Sequence, residues 1–413
     1  MPPQHGRRRP KSVYIRRRIM VGTVGIVVLA LLAIGVTSVT GTSGSSATTQ
    51  TSTTVAPTTT TTVPPRLRIP PGKPIVDRRL VRLSQYYSNT ITPKSITASG
   101  AGLVMAQNMV YRHTVTAFNA TTGAVVKTIP ASVQLSKFGF TGHPGTVLGA
   151  PVEGAFTPDA KFFWITNYSM TGPTMGPEGL DSCTPYTQSS RGETPSYAMR
   201  INVANFQIDR VVQVGYVPKF VETSPDGKWV LVTNWCSWTL NIIDANTAKV
   251  VKTLPLPGTP RGIAVDPTSH AAYIAIMGGT VLVKVNLLTQ TVVGQIYVGP
   301  SPRTVVLSPN GIYAYVSLNG PGAVVKVDLR TGRVIASVHT GSEARSLVIS
   351  SDGTALFVVN YGSSTMTMLR AADLRVLQNV VVPSNPIGIT YDPLTAQVWV
   401  SSYSGYVTRY ATQ

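Results

Sequence analysis

The chain has 413 residues, of which 43% are hydrophobic and only 12% are charged, and its formal net charge is +19. The charged share is about half that of an average soluble domain, roughly 25%, and Thr, Ser, Val and Gly take its place. This composition allows a sizeable core and argues against a fold of long helices, because these residues favour short strands and tight turns.

A basic tail opens the chain and is followed by an apolar segment. Residues 1–18 contain seven arginines and lysines and no acidic residue, and residues 19–39 contain neither charge nor proline. A run of about 20 apolar residues is long enough to span a bilayer as a helix. Because cations flank it on the N-terminal side, we expect a single-pass membrane anchor with a cytoplasmic N-terminus and an extracytoplasmic remainder.

Secretion after signal-peptide cleavage is the alternative to an anchor. A signal peptide usually has an apolar core of about 7–15 residues and an Ala-x-Ala-like cleavage site, neither of which fits here. Residues 40–72 are rich in Ser, Thr and Pro. Such a segment cannot bury enough apolar surface to offset its chain entropy, so we expect a disordered linker that holds the following domain away from the membrane.

An internal period of 42 residues dominates the rest of the sequence. Pro218, Pro260 and Pro302 are each separated by 42 residues, and Pro386 follows after 84, with Ala344 at the midpoint. Each complete unit contains four short apolar segments separated by turn sequences that contain Gly, Pro, Asn or Asp. Four strands in roughly 40–45 residues, repeated around an axis, are the pattern of a β-propeller.

Two less regular units precede the others, so that seven units begin at residues 93, 151, 218, 260, 302, 344 and 386. The last unit lacks a fourth strand, whereas segment 78–86 belongs to no unit. Because closing the ring removes exposed sheet edges, we predict that 78–86 is the outer strand of the last blade. The predicted fold is therefore an all-β, seven-bladed β-propeller over residues 73–413.

Three segments carry a resemblance to a known family. They are Ile-Thr-Asn-Tyr at 165–168, Val-Thr-Asn-Trp at 232–235 and Val-Asn-Tyr at 359–361. They resemble the signature of YVTN-repeat (YncE-like) propellers, over about residues 93–413. The resemblance implies the seven-bladed fold and a broad family with many binding proteins. Ile276 and Leu318 stand where that family usually has Asn.

Cations recur at one place in the repeat, directly after the residue that begins each unit. Five of the seven units carry one there: Lys94, Lys219, Arg261, Arg303 and Arg345. The rotational pseudo-symmetry of a propeller brings equivalent positions to one end of the central channel, where a ring of cations would attract an anionic ligand. The alternative is that these long side chains merely extend from the strand ends into solvent.

Aromatic residues and two cysteines fall near the same face. Trp235 and Tyr361 follow the second strand of their units, as Tyr168 and Tyr403 do, and aromatic faces beside cations suit a sugar, a base or a flat acid. Packing between blades is the alternative. The inserted segments 132–150 and 169–196 should reach this face as a partial lid. Cys183 and Cys236 occupy equivalent loops of adjacent blades, which predicts a disulfide in an oxidising compartment.

Signals for catalysis are weak. Glu153 and Glu222 are the acidic residues near inner-strand starts, and Glu222 is the candidate general base. No spacing of His, Cys or carboxylates suggests a metal, and we expect no cofactor. We therefore predict a monomeric binding or scaffold protein for an anionic ligand or a cell-envelope partner. A hydrolase of lactone or phosphoester type is one alternative, and binding of single-stranded DNA or a cell-wall polymer is another.

Overall fold

The computed structural model describes residues 73–109, 112–177, 183–185 and 192–413. The predicted basic tail, membrane anchor and linker all lie outside these residues. Within the described part of the chain, no helix is both long and apolar enough to cross a bilayer.

Seven antiparallel sheets form the blades of the propeller. The chain first makes strand β1 (Leu80–Tyr87), which belongs to blade seven, and then enters blade one. Blade one contains β2 (Pro93–Ala98), β3 (Leu103–Asn108), β4 (Thr114–Asn119) and β5 (Val125–Pro130). Blade two contains β6 (Ser132–Val133), β7 (Val147–Phe156), β8 (Phe162–Thr171), β9 (Tyr197–Asn202) and β10 (Gln207–Gln213).

Blades three to six are the most regular, and each is a four-stranded meander. Blade three contains β11 (Pro218–Thr223), β12 (Trp229–Asn234), β13 (Thr239–Asp244) and β14 (Lys249–Pro255). Blade four contains β15 (Pro260–Val265), β16 (Ala271–Ile276), β17 (Val281–Asn286) and β18 (Thr291–Tyr297). Blade five contains β19 (Pro302–Leu307), β20 (Tyr313–Leu318), β21 (Ala323–Asp328) and β22 (Arg333–His339). Blade six contains β23 (Ala344–Ile349), β24 (Ala355–Asn360), β25 (Thr365–Arg370) and β26 (Val376–Val381).

Blade seven is closed by the N-terminal strand, as the sequence predicts. It contains β27 (Pro386–Asp392), β28 (Gln397–Ser402) and β29 (Tyr406–Thr412), and β1 pairs with β29 as its outer strand. Backbone bonds between Arg79 and Gln413 extend this pairing to the end of the chain. The predicted outer strand at 78–86 is thereby confirmed, with bounds shifted by one or two residues.

The hydrophobic core is divided among the interfaces between blades. One apolar cluster, for example, joins Leu231 and Ile242 of blade three to Ile274 and Val283 of blade four, all of them inaccessible to solvent. Each of the other six interfaces has a cluster of the same kind. Because each blade buries both of its faces against neighbours, the ring leaves no sheet face without a partner.

One strand of every blade lines the central channel, and it is the first of the four strands that each blade shares with the others. These inner strands (β2, β7, β11, β15, β19, β23 and β27) contact one another in order around the ring, and the last contacts the first. They all run in the same direction along the channel. We call the end where they begin the near mouth, and the end where they finish the far mouth.

Blade two departs from the regular pattern because of its two insertions. Segment 132–150 adds the short edge strand β6, which pairs with β7, and a 3-10 turn at Leu135–Phe138. Leu135 and Val147 are fully buried, and Phe140 packs edge-on against Tyr197 with ring centroids 5.1 Å apart. Strands β7 and β8 continue their pairing as far as Leu148 and Thr171. The first insertion is therefore part of the packed blade rather than a free loop.

Candidate anion site at the near mouth

A β-bulge at the start of each inner strand positions the cations. In blade one the register of the β2–β3 pairing shifts between Pro93 and Ser95, so Lys94 has no partner residue on β3. The register shifts at the equivalent place in all seven blades. A bulged residue is not held in the regular alternation of the strand, so its side chain can be directed differently from those of its neighbours. The repeat alone predicts the equivalence of these positions but not the bulge.

The structure brings side chains from blades one, two and four into contact inside the near mouth. Glu153 accepts hydrogen bonds from Lys94 Nζ and from Arg261 Nη2, each at 3.2 Å, and all three side chains are at least 88% buried. Arg261 Nη1 also donates to the carbonyl oxygen of Lys219, at 3.2 Å. The carboxylate of Glu153 is thus shared by two cations that the sequence places on different blades.

These cations are buried rather than solvated. Lys94, Lys219, Arg261 and Arg303 are each exposed by 7% or less. Burial lowers the pKa of Lys94 well below its usual value, Glu153 opposes that shift, and repulsion from Arg261 reinforces it. The alternative in which the side chains extend into solvent therefore does not hold for these four residues.

Arg303 is the near-mouth arginine that has no ion-pair partner among the described residues. Its Nη1 lies 3.9 Å from the sulfur of Met277, and its Nε has no hydrogen-bond partner among the described residues. Burial lowers the pKa of Arg303 well below its ordinary value, and repulsion from Arg261 and Arg345 adds to the effect. An unpaired buried charge is costly unless something compensates it, and here no carboxylate of the described residues forms an ion pair with Arg303.

Aromatic rings cover two of the other cations. Lys219 Nζ lies 4.3 Å from the ring centroid of Tyr168 and 5.4 Å from that of Trp235. The guanidinium of Arg345 lies 3.5 Å from the ring centroid of Tyr361. Cation–π contacts of this kind contribute about 0.5–2 kcal/mol each. Trp235 and Tyr361, predicted as ligand-stacking residues, therefore contact the protein's own cations.

Arg345 and Tyr403 mark the edge of the cluster. Arg345 forms an ion pair with Glu343 at 3.5 Å, and its side chain is 18% exposed. Burial raises the pKa of Tyr403, and the positive charges of Arg261, Arg303 and Arg345 oppose that shift. The Tyr403 ring lies 6.4 Å from that of Tyr361, which covers Arg345, so the sequence indicates its place only through the aromatic position that the two tyrosines share.

Glu222 does not belong to this cluster. It lies three residues beyond Lys219 on β11 and lines a separate cavity, together with Val306 of β19 and Ile349 of β23. Among the described residues, its carboxylate accepts one hydrogen bond, from the backbone N–H of Thr223. Glu222, the candidate general base, therefore lies apart from the near-mouth cations.

The two cysteines form the predicted disulfide. Cys183 and Cys236 are bonded, with their Cα atoms 5.3 Å apart, and both are buried. They pack with Tyr168, Val217 and other residues in a small cluster at the near face, next to the ring that covers Lys219. The disulfide thus fixes a short part of the second insertion against blade three.

Comparisons with known proteins support the fold and leave the function open. The family model for the cytochrome D1 heme domain matches residues 302–390, about a fifth of the chain. A solved structure of hydrazine synthase from Kuenenia stuttgartiensis superposes with a TM-score of 0.63 at 16% identity, over 78% of this chain and 96% of that one. No curated protein sequence matches. The resemblance to YVTN-repeat propellers stays a prediction.

Proposed function

We propose that the near mouth binds a small anionic ligand and that the protein is a binding module. The observation that carries this proposal is the burial of the Arg303 guanidinium without an ion-pair partner among the described residues: Arg303 is 6% exposed, and the charges of Arg261 and Arg345 repel it. An anion with two or more oxygen atoms would accept hydrogen bonds from Arg303 and reduce the repulsion around it.

The surroundings of Arg303 favour a small ligand. Arg261 on one side is already engaged with Glu153, and Arg345 on the other is covered by Tyr361. Both are held by these contacts before any ligand arrives, so little side-chain entropy is lost on binding. A phosphate, sulfate or carboxylate group fits this arrangement, whether free or carried by a cell-envelope component.

We also propose that the propeller lies outside the cytoplasm and is attached to the membrane by an N-terminal anchor. The buried disulfide supports an oxidising compartment, and the apolar segment 19–39 supports an anchor. Protease added to intact cells should release the propeller by cleaving within 40–72. A propeller that stays cell-associated and intact under conditions that cleave a control surface protein would contradict this topology.

The other candidate functions have less support. A hydrolase would need an acid or base beside the substrate, but Glu153 is already bonded to two of these cations, and Glu343 forms an ion pair with Arg345. A histidine-ligated heme does not fit the cluster, because the four histidines of the described residues lie elsewhere: His113 and His339 contact backbone carbonyls, His143 contacts Thr174, and His270 is exposed on a far-side turn. Polymer binding stays a prediction.

Titration of the full-length chain with inorganic phosphate, followed by calorimetry, tests the proposal. Saturable binding that weakens with added salt is expected. Arg303→Met should lower the affinity at least about tenfold, since a hydrogen bond to a charged group contributes about 1.5–3 kcal/mol.

Arg330→Met is the matched control, because Arg330 lies in the same blade but its side chain is 81% exposed on a far-side turn. That variant should bind phosphate like the wild type. Equal affinities of the Arg303 variant and the wild type, or no binding of phosphate or sulfate at all, would contradict the proposed site.

A further inference from the structure

The far mouth contains a cavity whose chemistry differs from that of the near mouth. It has a volume of about 360 Å³ and lies among the final residues of the inner strands β11, β15, β19 and β23. Its walls combine apolar side chains, which include Ile263, Val306, Leu307 and Ile349, with polar groups. Cavities of roughly 300–1,000 Å³ with apolar walls and a few polar groups are typical of small-molecule sites.

One ionisable side chain faces this cavity. Glu222 is the single charged residue among those that line it, and all of the lining residues are described. The other polar groups there are hydroxyls and backbone atoms, such as those of Thr223, Ser308 and Ser350. No described cation forms an ion pair with Glu222, whereas Glu153 at the other end of the channel has two such partners.

The equivalent positions in neighbouring blades show why this carboxylate stands alone. Ala264 and Val306 occupy the places in blades four and five that Glu222 occupies in blade three. An isolated carboxyl in apolar surroundings is ionised only at a cost in desolvation. A bound ammonium group would offset that cost, and the apolar walls would bury the rest of the molecule.

We infer that the far mouth is a binding site for a small aliphatic amine, with its ammonium group on the Glu222 carboxylate and its hydrocarbon part against the ends of β15 and β19. The site is separate from the near mouth, because the two positions are three residues, or about 10 Å, apart along β11. The inference therefore stands independently of the proposed anion site.

Cyclohexylamine and cyclohexanol are suitable probes, since they have the same shape and only the amine is positively charged at neutral pH. Calorimetric titration of the full-length chain should show saturable binding of cyclohexylamine and much weaker binding of cyclohexanol. Glu222→Gln should weaken amine binding by at least about tenfold and leave cyclohexanol binding unchanged. Asp373→Asn, which removes an exposed far-side carboxylate, is the matched control and should bind the amine normally.

The pH dependence provides a second readout. Burial raises the pKa of Glu222 to about 7, and no other lining residue titrates in this range. Amine affinity should therefore rise about tenfold between about pH 6 and about pH 8 in the wild type and stay flat in Glu222→Gln.

Three outcomes would overturn the inference: no saturable amine binding up to about 10 mM, equal binding of the amine and the alcohol, or equal amine binding by Glu222→Gln and the wild type. Phosphate titration of the same variant separates the two sites. Normal phosphate binding by Glu222→Gln would show that the near mouth is intact, whether or not the variant binds the amine.

Discussion

At the near mouth of the channel, Glu153 lies between Lys94 and Arg261, whereas at the far mouth Glu222 faces alanine, valine and leucine side chains. Both carboxylates are carried by inner strands, and the same seven strands form both mouths. The difference shows that the position of a residue along its inner strand, and not the fold, decides the chemistry of each end. A propeller can therefore hold two unlike sites on one axis.

The largest expected effect is the loss of the near-mouth carboxylate. Glu153→Gln should lower the free energy of unfolding by about 3–5 kcal/mol, because Lys94 and Arg261 would stay buried without their counter-charge. Denaturant unfolding of the full-length chain at neutral pH measures this change. A loss below about 1 kcal/mol would mean that Glu153 is not needed to hold the cations together.

The near face also carries the disulfide, which uses both cysteines of the chain. Replacing both Cys183 and Cys236 by Ser should lower the free energy of unfolding by about 2–4 kcal/mol, because the bond closes a loop with a sequence separation of 53. Thermal unfolding of the variant and of the reduced wild type, each compared with that of the oxidised wild type, measures the effect. If neither treatment changes the unfolding temperature, the bond does not stabilise the near face.

Glu222→Gln, the same chemical change at the far mouth, should raise rather than lower the free energy of unfolding at neutral pH. The pKa of Glu222 is raised from 4.5 to about 7, so the folded protein keeps a proton that the unfolded chain has lost between these values. The wild type therefore loses stability as pH rises from about 4.5 to about 7, by up to roughly 3 kcal/mol, and the variant does not.

Unfolding of wild type and variant across this pH range tests the contrast. Glu222→Gln should be the more stable protein above about pH 7, with the advantage disappearing below about pH 4.5. A difference that does not depend on pH would show that Glu222 is not held in an apolar environment.

The strict repeat made the ring predictable and left the contacts across the channel unpredicted. The spacing of Pro218, Pro260 and Pro302 places their following cations on one mouth, and the surplus strand before residue 93 predicts how the ring closes. Spacing does not specify the bulge that directs Lys94 inward, nor the contact between Glu153 and Arg261, which are 108 residues apart. Such contacts depend on side-chain direction and channel width, which no local pattern in the sequence encodes.

The closing strand determines where the chain enters the ring. The backbone N–H of Ile75 donates to Asp352, 2.8 Å away, in the far-side turn of blade six, and β1 then runs towards the near face. The chain also ends on the far side, where Gln413 pairs with Arg79. The first and last strands of the propeller are therefore held to each other on the far side, and separating them would open the ring at blade seven.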